Sequence, residues 1–427
     1  MEKILVSGGN KLSGEIKISG AKNSALPLLA ASILTKETIE LHNVPELADI
    51  KTMLELLSSL GVVIKKEHNL KSQIFSNSVI SLSGKDINNL TAIYDIVRKM
   101  RASVIVLGPM LARFGEAKVS LPGGCAIGTR PVDIHLEALE KMGAEIQIDG
   151  GYIIAKTKKG HLTGAEINFR FPSVGATENI LMAASLAKGK TTITNAAKEP
   201  EIVDLANLIN KMGAKIKGAG TATIIIDGVE HLSGAVHNVI ADRIEAGTFA
   251  ILAQITNSDL TLQDLEPSHL VTVFESLEKT GAKVEIGQNT VSIKASKTIK
   301  PVSIKTEIFP GFPTDMQAQW VALMCLAKGV SEITENIFEN RFMHIAELRR
   351  MGAKIEEKGE LVHITGVEHL KPAQVMATDL RASVSLILAG LATKGETIID
   401  RVYHLDRGYE KIEEKLSLVG AKIKRIG

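Results

Sequence analysis

The chain has 427 residues, more than one hydrophobic core usually serves, so two domains are expected. Its 50 basic and 48 acidic residues nearly cancel, and only 4% of residues are aromatic. That balance argues against a binder of nucleic-acid backbones or a base-stacking platform, and leaves room for a small anion in a local basic pocket.

The N-terminal stretch Met-Glu-Lys-Ile-Leu-Val has no basic-then-apolar leader pattern. Short strands are expected at 4–6 and 15–18, followed by an apolar helix at 25–34, too short to span a bilayer. A soluble, cytoplasmic protein without membrane insertion is the expectation. Further helices of the same Ala, Leu, Ile and Met character follow at 104–112, 178–187, 246–255, 316–327 and 384–392, all reading as buried on most sides. Strands are expected at 79–82, 152–156, 190–195 and 396–400. Two cysteines supply neither a disulfide framework nor a metal-binding spacing. Cys325, in Trp320-Val-Ala-Leu-Met-Cys-Leu-Ala327, reads as a buried core thiol.

A second helical pattern ends six times in a glycine followed by a strand: Gly61, Gly143, Gly213, Gly281, Gly352 and Gly420, spaced 82, 70, 68, 71 and 68 residues apart. The chain therefore reads as six α/β units in two groups of three, dividing near 230–240. Counted from the end of the preceding strand, the glycine follows 17 to 19 residues later in five units. In the second unit it takes 22, from Leu121 to Gly143. The extra residues are Leu121-Pro-Gly-Gly-Cys-Ala-Ile-Gly-Thr-Arg-Pro131, too poor in apolar side chains to pack a core and rich enough in glycine to carry Cys125 in and out of a cleft. A functional loop is favoured over an incidental surface insertion.

Each buried helix is entered past a polar or charged residue: Lys22 and Asn23, Arg101, Ser173, Arg243 with Glu245, Asp315, and Asp379 with Arg381. Helix starts attract anions, so a cleft lined by them would bind one. Simple capping by Asn23, Ser173 or Asp315 is the competing explanation, weaker for the cations, which the helix dipole disfavours there. A thiol near Lys22, Arg101 and Arg130 would have its thiolate favoured and could serve as nucleophile or general acid. Phosphate-loop and dinucleotide glycine motifs are missing, and no Cys–His pairing is evident from spacing. From the residues alone, an enzyme acting on an anionic small substrate through Cys125 is expected.

Five motifs go further: Gly20-Ala-Lys-Asn-Ser-Ala-Leu-Pro27, Leu121-Pro-Gly-Gly-Cys-Ala-Ile-Gly-Thr-Arg-Pro-Val-Asp-Ile-His135, Phe312-Pro-Thr-Asp-Met-Gln-Ala-Gln319, Ala377-Thr-Asp-Leu-Arg-Ala-Ser383 and Tyr403-His-Leu-Asp-Arg-Gly-Tyr-Glu410. In these the chain resembles, end to end and in order, the enolpyruvyl transferase family, in its UDP-N-acetylglucosamine branch. The resemblance implies an inside-out α/β barrel of two domains, three units each, joined by a double crossover. It would put 22–239 with the Cys125 loop in domain I, and 1–21 with 240–427 in domain II. It implies transfer of enolpyruvate from phosphoenolpyruvate to the 3′-hydroxyl of UDP-N-acetylglucosamine through a tetrahedral ketal, the first committed step of peptidoglycan synthesis. No cofactor or metal is implied, although Cys125 can carry a covalent phosphoenolpyruvate-derived adduct and would be alkylated by fosfomycin. Protein partners are not implied.

By the same resemblance Cys125 is the general acid and Asp315 the base on the sugar hydroxyl. Lys22, Arg130 and Arg407 surround the phosphoenolpyruvate phosphate, with Asn23, Asp379 and Arg381 beside them. Asn23, Arg101, Arg130, Pro131, Val132, Asp133, Ile134, Ser173, Val174, Asp315 and Ile337 contact the UDP-sugar. Phe171 departs from the pattern, standing where some members have a lysine, which puts one charged contact to the diphosphate in doubt. The sister enzyme using shikimate 3-phosphate shares the fold but lacks this cysteine loop. A silent binding module on the same scaffold would not need the intact set of Lys22, Cys125, Asp315, Arg381 and Arg407.

Overall fold

The computed structural model describes residues 2–68, 78–122 and 132–427. They contain six four-stranded sheets of one design. In each, a short leading strand runs parallel to a second, the second is antiparallel to a third, and the third to a fourth. Lys190–Thr194, for example, lies between its parallel leader Glu166–Asn168 and the antiparallel Thr223–Asp227, which carries Lys215–Lys217 on its far edge. The corresponding second strands are Thr38–Val44, Glu116–Ser120, Asp259–Gln263, Val330–Thr334 and Gly395–Asp400. This is the α/β architecture of six repeated units expected from the glycine spacing.

Before its second strand each unit has an inner helix. These are α1 (Lys22–Ala30), α2 (Leu107–Phe114), α3 (Val174–Ser185), α4 (Arg243–Ile255), α5 (Gln317–Met324) and α6 (Ala382–Ala392). Every residue of α4 except Arg243 is buried, and every residue of α6 except Ala392. Their apolar composition all round is what lets them sit inside rather than on a surface. Two come shorter than the sequence suggests. A 3-10 turn, Arg101–Val106, precedes α2, which starts where Pro109 falls in the first turn and no N–H is needed. Helix α5 stops at Met324, after which Leu326 and Ala327 donate three residues back, a tightened last turn. Pro27 inside α1 has no N–H to offer the Asn23 carbonyl, and the helix tightens to a 3-10 turn, Ala31–Leu34.

Outer helices such as Ala48–Leu60 and Pro200–Lys211 lead back to each sheet. The six glycines after them all take positive φ, from 90° to 106°, the left-handed conformation that ends a helix. The chain splits into two compact units. One holds the residues up to Ile18 and Ala241–Gly427; the other holds the described residues from Ser19 to Ile240. Each has its own hydrophobic core. The N-terminal strand Lys3–Gly8 is an inner strand of the sixth sheet, between Gly395–Asp400 and Lys422–Ile426. Ser13–Lys17 leads the fourth sheet, beside Asp259–Gln263.

Candidate active site

In the unit that ends the chain, the starts of α4, α5 and α6 bring charge together. Asp315 sits in the 3-10 turn Thr314–Met316 before α5. Its carboxylate is gripped from two sides. The buried Arg341 donates Nη2 to Oδ1 at 2.6 Å and Nη1 to Thr314 Oγ1 at 3.0 Å. Arg381, at the head of α6, donates Nε to Oδ2 at 3.3 Å. The Asp315 side chain keeps 26% exposure while both guanidiniums are nearly buried. Burial opposes the Arg381 charge, but Asp242 and Asp315 outweigh it and hold the guanidinium more firmly protonated than usual. Its Nη2 lies 3.9 Å from the Asp242 carboxylate.

Asp242 also caps α4, accepting from the N–H groups of Ile244 and Glu245 at 2.9 and 3.1 Å. Asp379 caps α6 in the same way, accepting from Arg381 and Ala382 at 2.8 and 2.9 Å. Beneath the first turn of α4, Glu245 pairs with Lys415 at 2.7 Å with both side chains buried. Arg407 ends the 3-10 turn Val402–Arg407, and its charge helps depress His404, after burial. Ile337 follows Glu335, whose carboxylate accepts its N–H at 2.9 Å.

In the other unit, Lys22 is the first residue of α1. Its ammonium is buried and lies 3.4 Å from the buried Asp49 carboxylate. Asn23 and Arg101 are half-buried at the starts of α1 and of the turn before α2. Val132 precedes the helix Asp133–Lys141, with Asp133 and the buried Ile134 in its first turn. Asp133 is ion-paired with Arg170, which also reaches Glu137 at 3.3 Å. Phe171 is exposed, with the Arg170 guanidinium 5.8 Å over its ring. Next along the same helix, His135 Nδ1 accepts from Asn179 at 3.0 Å. Burial, with Arg101 assisting, pushes His135 down to about 4, so its ring is neutral near pH 7. Val174 begins α3.

Capping therefore explains Ser173, whose Oγ accepts from the Ala176 N–H at 3.3 Å, whereas Asn23 and Asp315 lie inside the first turns that they begin, past the N-cap positions Ala21 and Pro313. Cys125, Arg130 and Pro131, the centre of the sequence argument, lie outside the described residues. Cys325 is buried, and burial alone raises its thiol to about 12, which leaves it an inert core residue. Sequence reasoning missed Arg341, Asp242, Thr248, Gln319 and the role of Tyr409. One signal was available for Arg341: it stands six residues past Glu335 in the fifth unit, as Arg407 stands six past Arg401 in the sixth.

Comparison with known proteins matches residues 6–416 to the family described as EPSP synthase (3-phosphoshikimate 1-carboxyvinyltransferase). The chain is 56% identical over 427 residues to a UDP-N-acetylglucosamine 1-carboxyvinyltransferase of Paramagnetospirillum magneticum, covering all of this chain and 99% of that one. It is 55% identical over 426 residues to one of Granulibacter bethesdensis, covering both chains fully. Among solved structures, the enolpyruvyl transferase NikO from Streptomyces tendae aligns with a TM-score of 0.87 at 23% identity, over 99% of this chain and 98% of that chain. EPSP synthase from Acinetobacter baumannii aligns at 0.76 and 20% identity, over all of both chains. These two share its inside-out α/β barrel fold.

Proposed function

The chain belongs to the EPSP synthase family of enolpyruvyl transferases, and from that premise we propose that it transfers enolpyruvate from phosphoenolpyruvate to the 3′-hydroxyl of UDP-N-acetylglucosamine, releasing phosphate. The choice of acceptor rests on one observation. Identity is 54 to 56% from end to end with three UDP-N-acetylglucosamine 1-carboxyvinyltransferases. The enzyme then supplies the first committed step of peptidoglycan synthesis.

The reaction proceeds by addition and elimination. An acid protonates the methylene carbon of phosphoenolpyruvate, and the adjacent carbon becomes cation-like. The sugar hydroxyl attacks that carbon and gives up its proton to a base, forming a tetrahedral ketal that still carries phosphate. Loss of a methyl proton and cleavage of the carbon–oxygen bond to phosphate restore the double bond. Cys125 is the proposed acid, on the one oversized loop of the six units. Asp315 is the proposed base, a half-open carboxylate held in place by Arg341 and Arg381. Lys22, Arg130 and Arg407 would stabilise the departing phosphate, as cations do best when held where charge develops. Arg381, with Asp379 accepting at its helix start, would bind phosphoenolpyruvate together with them. Asn23, Arg101, the segment Arg130, Pro131, Val132, Asp133 and Ile134, then Ser173, Val174 and Ile337 would receive the UDP-sugar.

Phosphate release is the direct test. The protein with phosphoenolpyruvate should release phosphate on addition of UDP-N-acetylglucosamine and not of shikimate 3-phosphate; the reverse pattern would overturn the acceptor, and none with either would favour a silent binding module. Cys125→Ser should lose most turnover and its fosfomycin sensitivity, while Cys325→Ser keeps both. Equal rates in the two variants would remove the loop thiol from the chemistry.

A further inference from the structure

The last of the five motifs, Tyr403–Glu410, contains a side chain to which the reaction scheme gives no task. Tyr409 is 2% exposed, among the largest fully buried side chains of the chain. Three inner helices meet on it. Its hydroxyl lies 2.9 Å from Thr248 Oγ1 on α4 and 3.2 Å from Gln319 Nε2 on α5. The Arg381 guanidinium at the head of α6 sits 5.5 Å from its ring centroid. The donors can be assigned. Thr248 gives its own proton to the Ile244 carbonyl at 2.8 Å, so toward Tyr409 it accepts, and the phenol donates. The phenolic oxygen is then free to accept from Gln319, which also reaches Thr248 Oγ1 at 3.0 Å and the Asp315 carbonyl at 3.1 Å. One residue earlier, the Gly408 carbonyl accepts from Arg381 Nη1 at 3.4 Å.

We propose that Tyr409 is a positioning residue: it holds the Arg381 guanidinium, and through Gln319 the Asp315 turn, in the arrangement that receives phosphoenolpyruvate. Arg381 is a long, mobile side chain with its charge almost out of water. Its Nε and Nη1 already donate to Asp315 and to the Gly408 carbonyl; a ring face adds attraction for the cation without taking up Nη2, which makes no hydrogen bond among the described residues and is left for a ligand. A carboxylate in that place would hold it harder and also neutralise it. The phenol serves the second half of the task, because its hydroxyl ties α4 to α5 and keeps the ring from turning. Burial pushes the Tyr409 hydroxyl up to about 12, so it remains a neutral donor at any working pH.

The inference rests on the reading of Arg381 as part of the phosphoenolpyruvate site, so the experiment separates the two. Steady-state constants for both substrates would be measured for the parent, Tyr409→Phe, Tyr409→Leu and each substitution combined with Arg381→Lys. Tyr409→Leu should raise KM for phosphoenolpyruvate about tenfold, the size of a desolvated cation–π contact, with KM for the UDP-sugar changed less than about twofold. Tyr409→Phe, which keeps the ring, should recover most of that loss. In the Arg381→Lys background the same substitutions should cost little further, because the group they act through is gone. A second readout needs no turnover: the Arg381 Nε–H resonance in arginine-labelled protein should be shifted by the ring in the parent and in Tyr409→Phe, and lose that shift in Tyr409→Leu. Equal rises in both KM values, undiminished losses beside Arg381→Lys, or an unmoved resonance would overturn the clamp. A parent with the expected resonance behaviour but no phosphate release would instead overturn the proposed function.

Discussion

Asp315 illustrates how a residue acquires a role from neighbours that are distant in sequence. Its two guanidinium partners stand 26 and 66 residues away. Removing the closer one, in Arg341→Ala, leaves the carboxylate without its shortest contact and the buried charge network incomplete. Turnover should drop by about two orders of magnitude, as for loss of a charge-assisted bond at a reacting group, measured as phosphate release per folded protein. An unchanged rate would mean that Arg341 does not prepare Asp315. His135 makes a second residue-scale prediction. Its folded value, about 4, lies below the ordinary 6.5, so on acidification the unfolded chain takes up that proton first. The stability contributed by the neutral ring is complete above 6.5 and is lost as pH falls toward 4. Between pH 7 and 4.5 the parent should lose on the order of 2 kcal/mol more than His135→Gln in urea unfolding. Parallel pH profiles would show that the ring titrates normally.

At the scale of elements, the repeat is held by close approaches as much as by apolar faces. Where the third strand ends, a glycine lies against the last turn of the inner helix. A Cβ at Gly228 would come within 1.7 Å of the Ala187 carbonyl oxygen, and one at Gly366 within 1.7 Å of that of Ala327. Both obstacles are backbone, which cannot swing aside. Gly366→Ala should therefore destabilise by about 1–3 kcal/mol, the cost of overpacking. Thermal unfolding checks it; an unchanged midpoint would mean that the strand end can retreat. Gly143 is different, since a Cβ there meets only a hydroxyl at 3.6 Å, and its positive φ of 93° is what asks for glycine. The six helix-ending glycines were legible because that backbone need recurs in the sequence. The 3-10 entries to α2 and α5 were not, because composition alone does not distinguish i+3 from i+4 bonding.

For the whole molecule, the N-terminal strand carries a consequence out of proportion to its length. Lys3–Gly8 is flanked on both sides in the sixth sheet, so deleting residues 2–8 removes an inner strand and exposes the edges of Gly395–Asp400 and Lys422–Ile426. The truncated chain should be largely insoluble or lose cooperative unfolding. A soluble protein with parental melting would show that the sheet closes without it.

By itself the sequence determined the repeat count, the burial of the inner helices and the family, since these rest on glycine spacing, apolar composition and motifs that are local in the chain. It also pointed to Lys22, Asp315, Arg381 and Arg407 by their places at helix starts and in motifs. The tertiary structure alone decided which of those side chains meet. Arg341 meets Asp315 within the fifth unit and Tyr409 lies beneath Arg381 within the sixth, while Thr248 and Gln319 reach Tyr409 from two other units; none of these pairings follows from a separation in sequence. They exist because three inner helices start together, and only packing brings those starts within hydrogen-bond reach.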